Sequence, residues 1–558
     1  MQKQFKSLLA QAGSKLFSIK TNNWIVAHGL IVVGVLLPFL FLLPQLFESS
    51  NISQVSADLL THQISEYTIT TGLLILFIMG LTSFFGALFS WWITRYDFPG
   101  RSLFSSLLIL PLAIPPYLAA YTYSDLLSST SWLQIYLTKL LPFSLDPQWF
   151  SISSIRGAIG IFTLTLFPYV YLTCRSFLTN QSRSLIENGL VLGSSEVRIF
   201  LRLVLPLMKP AIWSGSLLVA FEVLSDFGVV SYFGLHTFTV GIFTTWFGMN
   251  DLTSAVKMAF LLLLGVWLLI NTKRLWFHER RYQILSSQEK PLARKKLTGS
   301  TRYLIPSFLF LFLFISFFLP IGQMIYWASQ TYNLVWSREF FQLIFNTLLV
   351  TLLASTLIII TALISANVSR LYPQKSIQWL TQTSTIGYSV PSAILAIGTI
   401  SLFHYLDFSI SSAFELLNLP LASPLSLTLV MLIFAYWIRF FAVSFQSIQS
   451  GFSKIGPIYT QAARTLGCNI TQSFWRVDLP MIKPALKGAF ILAFIDMMKE
   501  LPLALTLRPF NFNTLGTKVY EYAGNEQIQE AALPSLMIVA LSLIALYFIL
   551  AQKKGAHS

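Results

Sequence analysis

The sequence predicts an all-α integral membrane protein of about twelve transmembrane helices, arranged as two homologous six-helix halves. Three observations support this prediction. The composition is apolar, with 55% hydrophobic and 11% charged residues and a mean hydropathy of +0.67. Many apolar stretches are about 20 residues long, the length that crosses a bilayer as a helix. A polar segment between two spans recurs at an offset of 274 residues.

The composition leaves little surface for water. A soluble protein carries about 25% charged residues, and this chain of 558 residues falls well short of that share. The net charge of +15 comes mostly from Lys and Arg between the apolar runs. This placement is typical of cytoplasmic loops rather than of a nucleic-acid-binding domain. We therefore expect membrane lipid, and no nucleic acid, around the chain.

Twelve spans are expected, with both termini in the cytoplasm. The N-terminal arm has four lysines and no acid, and the loop 272–303 is the most basic in the chain, so both are assigned to the cytoplasmic side. The predicted spans are approximately 24–46, 68–93, 103–124, 155–178, 211–233, 252–271, 304–327, 341–366, 379–402, 425–447, 486–507 and 532–551.

These spans divide the chain into five parts. The parts are a cytoplasmic arm (1–23), a first half (24–271), a basic cytoplasmic linker (272–303), a second half (304–551) and a cytoplasmic tail (552–558).

The sequence predicts no disulfide framework, because it contains only two cysteines, Cys174 and Cys468.

The repeated segment lies between the fourth and fifth spans of each half, at 184–210 and at 451–484. In both copies a Gly is followed at the same spacing by a Phe-x-Arg, a Leu-Pro and a Lys-Pro. Agreement at so many positions indicates duplication of a six-span unit. Transporters are commonly built from such repeats around a central pathway.

Each copy is expected to form a helix–turn–helix on the cytoplasmic face. Gly193 and Gly467 can adopt the left-handed conformation that ends a helix. A second short helix then carries the Phe and the Arg, and Pro206 and Pro480 are expected to break it before the next span. Two such knobs would fit a partner with two-fold symmetry.

The first helix of the second copy is expected to pack through Ala462, Ala463 and Leu466. The pattern Glu-Ala-Ala, three residues, Gly, about nine residues and Leu-Pro resembles the coupling-loop signature of binding-protein-dependent ABC importer permeases. The first copy keeps the acid, Glu187, but not the alanines, and the second keeps the alanines but has Gln461 instead of the acid. The two loops are therefore expected to be similar but unequal.

The resemblance implies a type I ABC importer permease in a bacterial inner membrane. It implies that two copies of a cytoplasmic ABC ATPase bind the coupling loops and use the ATP, that a periplasmic binding protein delivers the substrate, and that transport proceeds by alternating access. The residues it places in ATPase coupling are Glu187, Gly193, Arg202, Pro206, Gln461, Ala462, Ala463, Gly467, Arg476 and Pro480.

The stretches after the coupling loops resemble the ferric-iron branch of these importers, in which both permease halves are fused. In the first half the resemblance runs from Phe221 to Gly248, and in the second from Asp496 to Thr514. It implies ferric iron as the substrate. Fused permeases for thiamine, aminophosphonate or polyamine share the architecture, and a proton-driven secondary transporter is the alternative from another class.

Four acids lie in these stretches. Glu222 and Asp226 are spaced i, i+4, and Asp496 and Glu500 repeat that spacing, so each pair is expected on one helix face. Acids within a membrane are costly and usually face a cavity or a partner, so the four are candidates for a substrate pathway that suits a hard cation. In the structural alternative, nearby cations such as Lys499 and Arg508 neutralise them.

Other chemistry is not predicted. The sequence has no Gly-x-x-x-x-Gly-Lys-Ser/Thr loop, so the chain itself is not expected to bind ATP or to be an enzyme. The six histidines show no metal-ligand spacing. We expect no resident cofactor, no catalytic residue and no tightly bound metal.

Overall fold

The structure, a computed structural model, describes only part of the chain. The predicted arm up to residue 22, linker residues 277–293, tail residues 556–558 and residues 184–186 and 188 of the first coupling loop lie outside the described residues. The described residues are 23–47, 63–128, 131, 136, 152–179, 187, 189–276, 294–416, 424–456 and 458–555.

Helices dominate the described part of the chain. Two short strands, Tyr96–Asp97 and Lys295–Lys296, pair in parallel. The helices before the linker are Asn23–Phe47, Ile64–Arg95, Arg101–Leu107, Pro116–Leu126, Ile155–Thr179, Glu196–Ile199, Leu205–Ser225, Gly228–Tyr232, Phe238–Phe243 and Leu252–Trp276. Those after it are Thr301–Leu313, Leu319–Val335, Arg338–Leu371, Lys375–Ser384, Ser392–Leu416, Leu429–Ile455, Ile458–Thr465, Ile470–Ser473, Leu479–Lys499, Pro502–Leu507, Leu515–Gly524 and Ala532–Gly555.

The all-α, multi-span architecture is confirmed. Within the described residues, nine helices are long and apolar enough to cross a membrane, and a bent pair makes a tenth span. The other two predicted spans, 486–507 and 532–551, do not meet this criterion. The first falls on Leu479–Lys499, which carries four charged side chains, and the apolar part of the second is the shorter section Ala532–Phe548.

The predicted span 103–124 is broken rather than continuous. Its place is taken by the helical segment Arg101–Ala113 and the helix Pro116–Leu126, which meet at 89°. Ile114 is extended between them, because a residue before a proline avoids the helical conformation and a proline donates no backbone hydrogen bond. The apolar pattern alone did not show this break.

The predicted span 379–402 is also interrupted. The helix Lys375–Ser384 is followed by a short turn at Ile386–Ser389, and a new helix begins only at Ser392 and runs to Leu416. Val390 is extended because Pro391 follows it. The membrane-length helix of this region is therefore about 14 residues further along the chain than predicted at its C-terminal end.

The described chain divides into two compact units. One contains residues up to Phe47, Phe345–Phe512 and the residues from Ala545 onward, and the other contains Glu48–Ile344 and Asn513–Ile544. Each unit thus combines one half of the sequence repeat with helices from the other half. The sequence halves and the compact units are different divisions of the chain.

Close helix packing supports the first coupling loop. In its unit the helix Ile64–Arg95 runs along Ile155–Thr179, and both contact Leu205–Ser225. A Cβ added at Gly86 would lie 2.6 Å from the Val170 side chain, and one at Gly215 would lie 2.7 Å from the Val170 Cα. Small residues let these backbones approach closely, so the helix that follows the coupling loop is held firmly against its neighbours.

Candidate functional site

Both coupling loops turn as predicted. Gly193 has a φ of +76° and Gly467 a φ of +91°. In the first copy the Gly193 N–H donates to the Leu190 carbonyl at 3.0 Å, and the Ser194 N–H donates to the Gly189 carbonyl at 3.1 Å. The second copy makes the equivalent pair of bonds, both at 3.1 Å. This pair of bonds is the Schellman motif, which ends a helix at a left-handed residue.

A capped short helix follows each turn. In the first copy the Ser195 hydroxyl accepts from the Arg198 N–H at 3.4 Å. In the second, Asn469 Oδ1 accepts from the Gln472 N–H at 2.7 Å, and Gln472 Oε1 accepts from the Asn469 N–H at 3.1 Å. The second copy therefore has a reciprocal capping box, whereas the first has one side-chain cap.

The expectation that Pro206 and Pro480 break the chain before the next span is wrong. Each lies in the first turn of the next long helix, directly after a π-helical turn at Phe200–Val204 or Phe474–Asp478. The wider turn accommodates the residue that has no N–H to donate. In the first half the backbone is consequently helical from Glu196 to Ser225.

The predicted packing face of the second coupling helix is only partly correct. Ala463 is buried together with Thr460, but Ala462 is exposed and Leu466 is 85% exposed. Many apolar side chains of the two loops are exposed in the same way, which is typical of a surface that binds a partner. They are Leu190, Val191, Leu192, Val197 and Leu201 in the first copy, and Ile458, Tyr459, Leu466 and Trp475 in the second.

The other predicted coupling residues lie at or near this surface. Arg202, Arg476 and Gln461 are exposed, and Glu187 is half-buried in helical backbone. The turn at Gly467 borders a shallow groove, whose lining is Arg464, Gly467, Cys468, Asn469, Ile470 and Thr471.

An arginine holds the first coupling loop against the membrane helices. Arg95, at the end of the helix Ile64–Arg95, donates from Nη2 to Glu196 Oε1 at 2.8 Å and from Nε to Oε2 at 3.1 Å. Lys295 Nζ, from the strand that pairs with Tyr96–Asp97, lies 3.5 Å from the same Glu196 Oε1. Burial and the charge of Glu196 raise the pKa of the adjacent Tyr96.

A second arginine holds the second coupling loop. Arg370 donates from Nη2 to Asp478 Oδ2 at 2.7 Å and from Nη1 to Oδ1 at 3.2 Å. The Thr460 hydroxyl donates to Asp478 Oδ1 at 2.7 Å and accepts from Arg370 Nη1 at 3.1 Å. The Arg370 guanidinium also stacks 4.4 Å above the Phe452 ring. Bidentate, buried pairs of this kind have well-defined geometry.

The membrane acids of the first half do not share a helix face, contrary to the prediction. The helix ends at Ser225, and Asp226 is extended, with a ψ of 133°. Asp226 Oδ1 instead accepts from the Val229 N–H at 2.8 Å, at the start of the next short helix. Glu222 remains in the long helix and is half-buried.

The acids of the second half are similarly separated. Glu500 is extended after the helix Leu479–Lys499; its Oε2 lies 3.3 Å from Arg439 Nε, and its Oε1 accepts from the Ser392 hydroxyl at 2.8 Å. Asp496 pairs with Lys499 at 3.3 Å. The second-half acids thus have the cationic partners of the structural alternative, with Arg439 rather than Arg508 beside Glu500.

Metal ligands of the usual types are not gathered in the described residues. Among them, no group of three or more His, Cys, Asp or Glu side chains is placed to hold a metal ion.

Comparison with known proteins shows similarity to transport permeases. Residues 83–280 match the family of binding-protein-dependent transport system inner membrane components. The chain is 26% identical over 526 residues to the Fe(3+)-transport system permease protein FbpB 2 of Haemophilus influenzae, covering 93% of this chain and 96% of that protein. These similarities support a membrane permease of a binding-protein-dependent ABC importer.

Sulfate transport permeases match a smaller part of the chain. The probable sulfate transport system permease protein cysT of Nephroselmis olivacea is 28% identical over 37% of the chain and 70% of its own length. The sulfate transport system permease protein CysT of Escherichia coli is 30% identical over 26% of the chain and 51% of its own length. The permease therefore has full-length similarity to one kind of relative and partial similarity to another.

The ion pairs Arg95–Glu196 and Arg370–Asp478, which we call the arginine clamps, were not identified from the sequence. No motif in the sequence assigns a role to Arg95, Arg370 or Asp478. A signal was present, because Arg95 and Arg370 are 275 residues apart, one more than the repeat offset, and both lie in the last turn of corresponding helices. Their acids gave no such signal, since the counterparts of Glu196 and Asp478 at the 274 offset are Ile470 and Val204.

Proposed function

We propose that this permease imports ferric iron from a periplasmic binding protein into the cytoplasm by alternating access. The observation that carries the proposal is the match to the Fe(3+)-transport permease, which extends over nearly the whole of both chains. The sulfate permeases, in contrast, match a single region of the chain. A hard trivalent cation also suits a route that has carboxylates at its helix breaks.

The two coupling loops are the proposed docking sites for two copies of a cytoplasmic ABC ATPase. Their exposed apolar side chains, such as Val191 at 86% and Leu466 at 85% exposed, supply the contact area, and the exposed Arg202 and Arg476 lie beside them. ATP is bound and hydrolysed by these partners, and the permease contributes neither a nucleotide site nor a resident cofactor. Both termini are proposed to lie in the cytoplasm, on the side of the loops.

A single helix would transmit the motion of each loop. In the first half the helical backbone runs from Glu196 in the coupling loop to Ser225, next to Asp226. In the second half the helix Leu479–Lys499 similarly leads from the second loop to Glu500. A displacement that an ATPase imposes on a loop therefore reaches the break that carries an acid, which is the coupling that alternating access needs.

Reconstitution tests the proposed substrate. The permease is placed in liposomes with its ATPase, and its binding protein is loaded in turn with ferric iron, sulfate, thiamine, an aminophosphonate or a polyamine. We expect ATP-dependent accumulation of radioactive iron and of none of the others. Accumulation of another substrate without iron would overturn the proposal, and iron uptake driven by a proton gradient without ATP would overturn the ATPase mechanism.

A further inference from the structure

Several tyrosines gather around Asp226 in the first half. The Tyr121 ring centroid lies 4.6 Å from that of Tyr232 and 5.9 Å from that of Tyr117. Tyr121 interacts electrostatically with the Asp226 carboxylate. The helix Gly228–Tyr232, which Asp226 caps, packs on the helix Pro116–Leu126. We call Tyr117, Tyr121, Tyr232 and Tyr520 the tyrosine cluster.

Tyr520 comes to the cluster from a distant part of the chain. Its ring lies 5.9 Å from that of Phe227, the neighbour of Asp226, and it too is within electrostatic range of Tyr121. The helix that carries it begins against the cluster, since a Cβ added at Gly516 would lie 3.3 Å from the Tyr117 hydroxyl. Three separate helices thus bring tyrosine rings together near the helix break that carries Asp226.

The Tyr121 hydroxyl is buried without a hydrogen bond to the described residues. The residue is 2% exposed. Buried polar groups in folded proteins are nearly always paired. A buried phenol oxygen without a partner, in a cluster of tyrosine rings near a carboxylate, is a group to which a ligand can bind.

The equivalent acid of the second half, Glu500, has different neighbours. Glu500 lies beside the buried cation Arg439 and the Ser392 hydroxyl. At the 274 offset the counterpart of Arg439 is Thr165, whose hydroxyl donates to the carbonyl of Ile161 in its own helix, and the counterpart of Tyr232 is Thr506. The helix Ser392–Leu416 has no tyrosine before Tyr405. Tyrosines therefore accompany the acid of one half and an arginine that of the other.

We propose that the tyrosine cluster and Asp226 form a transit site for a ferric ion. This inference rests on the proposed function and names the groups that the iron meets. Anionic oxygen suits a hard cation, and tyrosine phenolate is an established protein ligand of iron. Each phenol that binds as phenolate releases one proton, so binding is coupled to proton release.

Spectroscopic titration tests the site without requiring transport. The purified permease–ATPase complex in lipid nanodiscs is titrated with ferric nitrilotriacetate, and the visible charge-transfer absorption of ferric phenolate is recorded. We expect the wild type and Tyr123→Phe to develop this absorption and Tyr121→Phe and Tyr232→Phe to lose most of it. Tyr123 is the matched control because it lies on the same helix and its hydroxyl donates to the Ile315 carbonyl.

Uptake measurements with the same variants provide the second readout. Iron uptake by Tyr121→Phe should fall about tenfold, the effect typical of removing a group that supports metal binding, while ATPase binding and Tyr123→Phe uptake stay normal. Wild-type absorption and uptake in Tyr121→Phe and Tyr232→Phe would overturn the transit site and leave the proposed function standing. A wild type that does not transport iron would instead overturn the proposed function.

Discussion

Two arginines in corresponding positions hold the coupling loops through acids in different positions. Arg95 binds Glu196 at the start of the second short helix of its loop, whereas Arg370 binds Asp478 at the end of the π-helical turn. The first pair also contacts Lys295, whose side chain is 54% exposed, and its acid, Glu196, is 15% exposed, whereas Asp478 of the second pair is 2% exposed. The inequality of the two loops thus extends to how each is anchored.

The buried clamp predicts a large effect of neutralisation. Asp478→Asn leaves the Arg370 charge without its counter-charge, and breaking a buried pair in this way costs about 3–5 kcal/mol. We expect a clearly lower thermal unfolding midpoint of the permease in nanodiscs. The double variant Arg370→Met, Asp478→Leu should recover part of the loss, since it removes both charges. An Asp478→Asn protein as stable as the wild type would contradict this account.

The left-handed glycines predict a conformational effect that is separate from side-chain packing. A Cβ at Gly193 or Gly467 would meet no atom within 4 Å, so a substitution acts through the backbone, at about 1–2 kcal/mol per residue in this conformation. Gly467→Val should weaken capture of the ATPase in a pull-down while the permease remains in the membrane. Gly467→Asn is the control, because Asn tolerates the left-handed conformation; equal capture by both variants would disprove the role of the turn.

At the scale of elements, the long helices that follow the coupling loops end where the membrane acids lie. The helix Leu205–Ser225 stops before Asp226, and the helix Leu479–Lys499 stops before Glu500. Each of these acids then caps the short helix that follows, accepting from the Val229 N–H at 2.8 Å and from the Leu503 N–H at 3.4 Å. Discontinuous helices of this kind mark substrate sites in many transporters.

Neutralising the first-half acids is predicted to slow transport. Glu222→Gln combined with Asp226→Asn removes two negative charges from the helix and the break that carry them, and iron uptake should fall about tenfold, since a cation route depends on such charges. Initial rates of radioactive iron uptake in reconstituted liposomes measure this. Glu339→Gln is the control, because its side chain is 66% exposed and pairs with Lys518. Unchanged uptake in the double variant would show that the acids are structural.

At the scale of the whole molecule, each compact unit draws helices from both sequence halves. The helix Asn23–Phe47 packs on Lys375–Ser384 and Ser392–Leu416, and His28 Nδ1 lies 3.1 Å from the Ser365 hydroxyl. In the other unit, the helix Leu319–Val335 packs on Pro116–Leu126. Neither half of the repeat therefore contains all the helices of a unit.

This organisation predicts that the halves fold together. A chain divided within residues 281–293 yields two fragments, each of which lacks helices that its unit needs. Expressed separately, each fragment should be aggregated or sensitive to trypsin, and co-expression should restore a monodisperse, resistant complex because the missing helix contacts return. Size-exclusion profiles and limited proteolysis distinguish these outcomes. A well-folded first fragment on its own would contradict the prediction.

The sequence by itself determined the apolar spans, the duplication and the turns of the coupling loops. These follow from local patterns: runs of about 20 apolar residues, a recurring motif, and glycine where the backbone needs a left-handed residue. Helix breaks at Asp226 and Glu500 were missed, because the i, i+4 spacing of the acids fits a continuous helix equally well.

Only the tertiary structure decided which groups meet. Arg95 and Glu196 are 101 residues apart, and Arg370 and Asp478 are 108 apart, so no local pattern links them. The same holds for Arg439 beside Glu500 and for the tyrosines around Asp226. Pairing of distant side chains depends on how helices pack, and packing is a property of the whole chain rather than of any one segment.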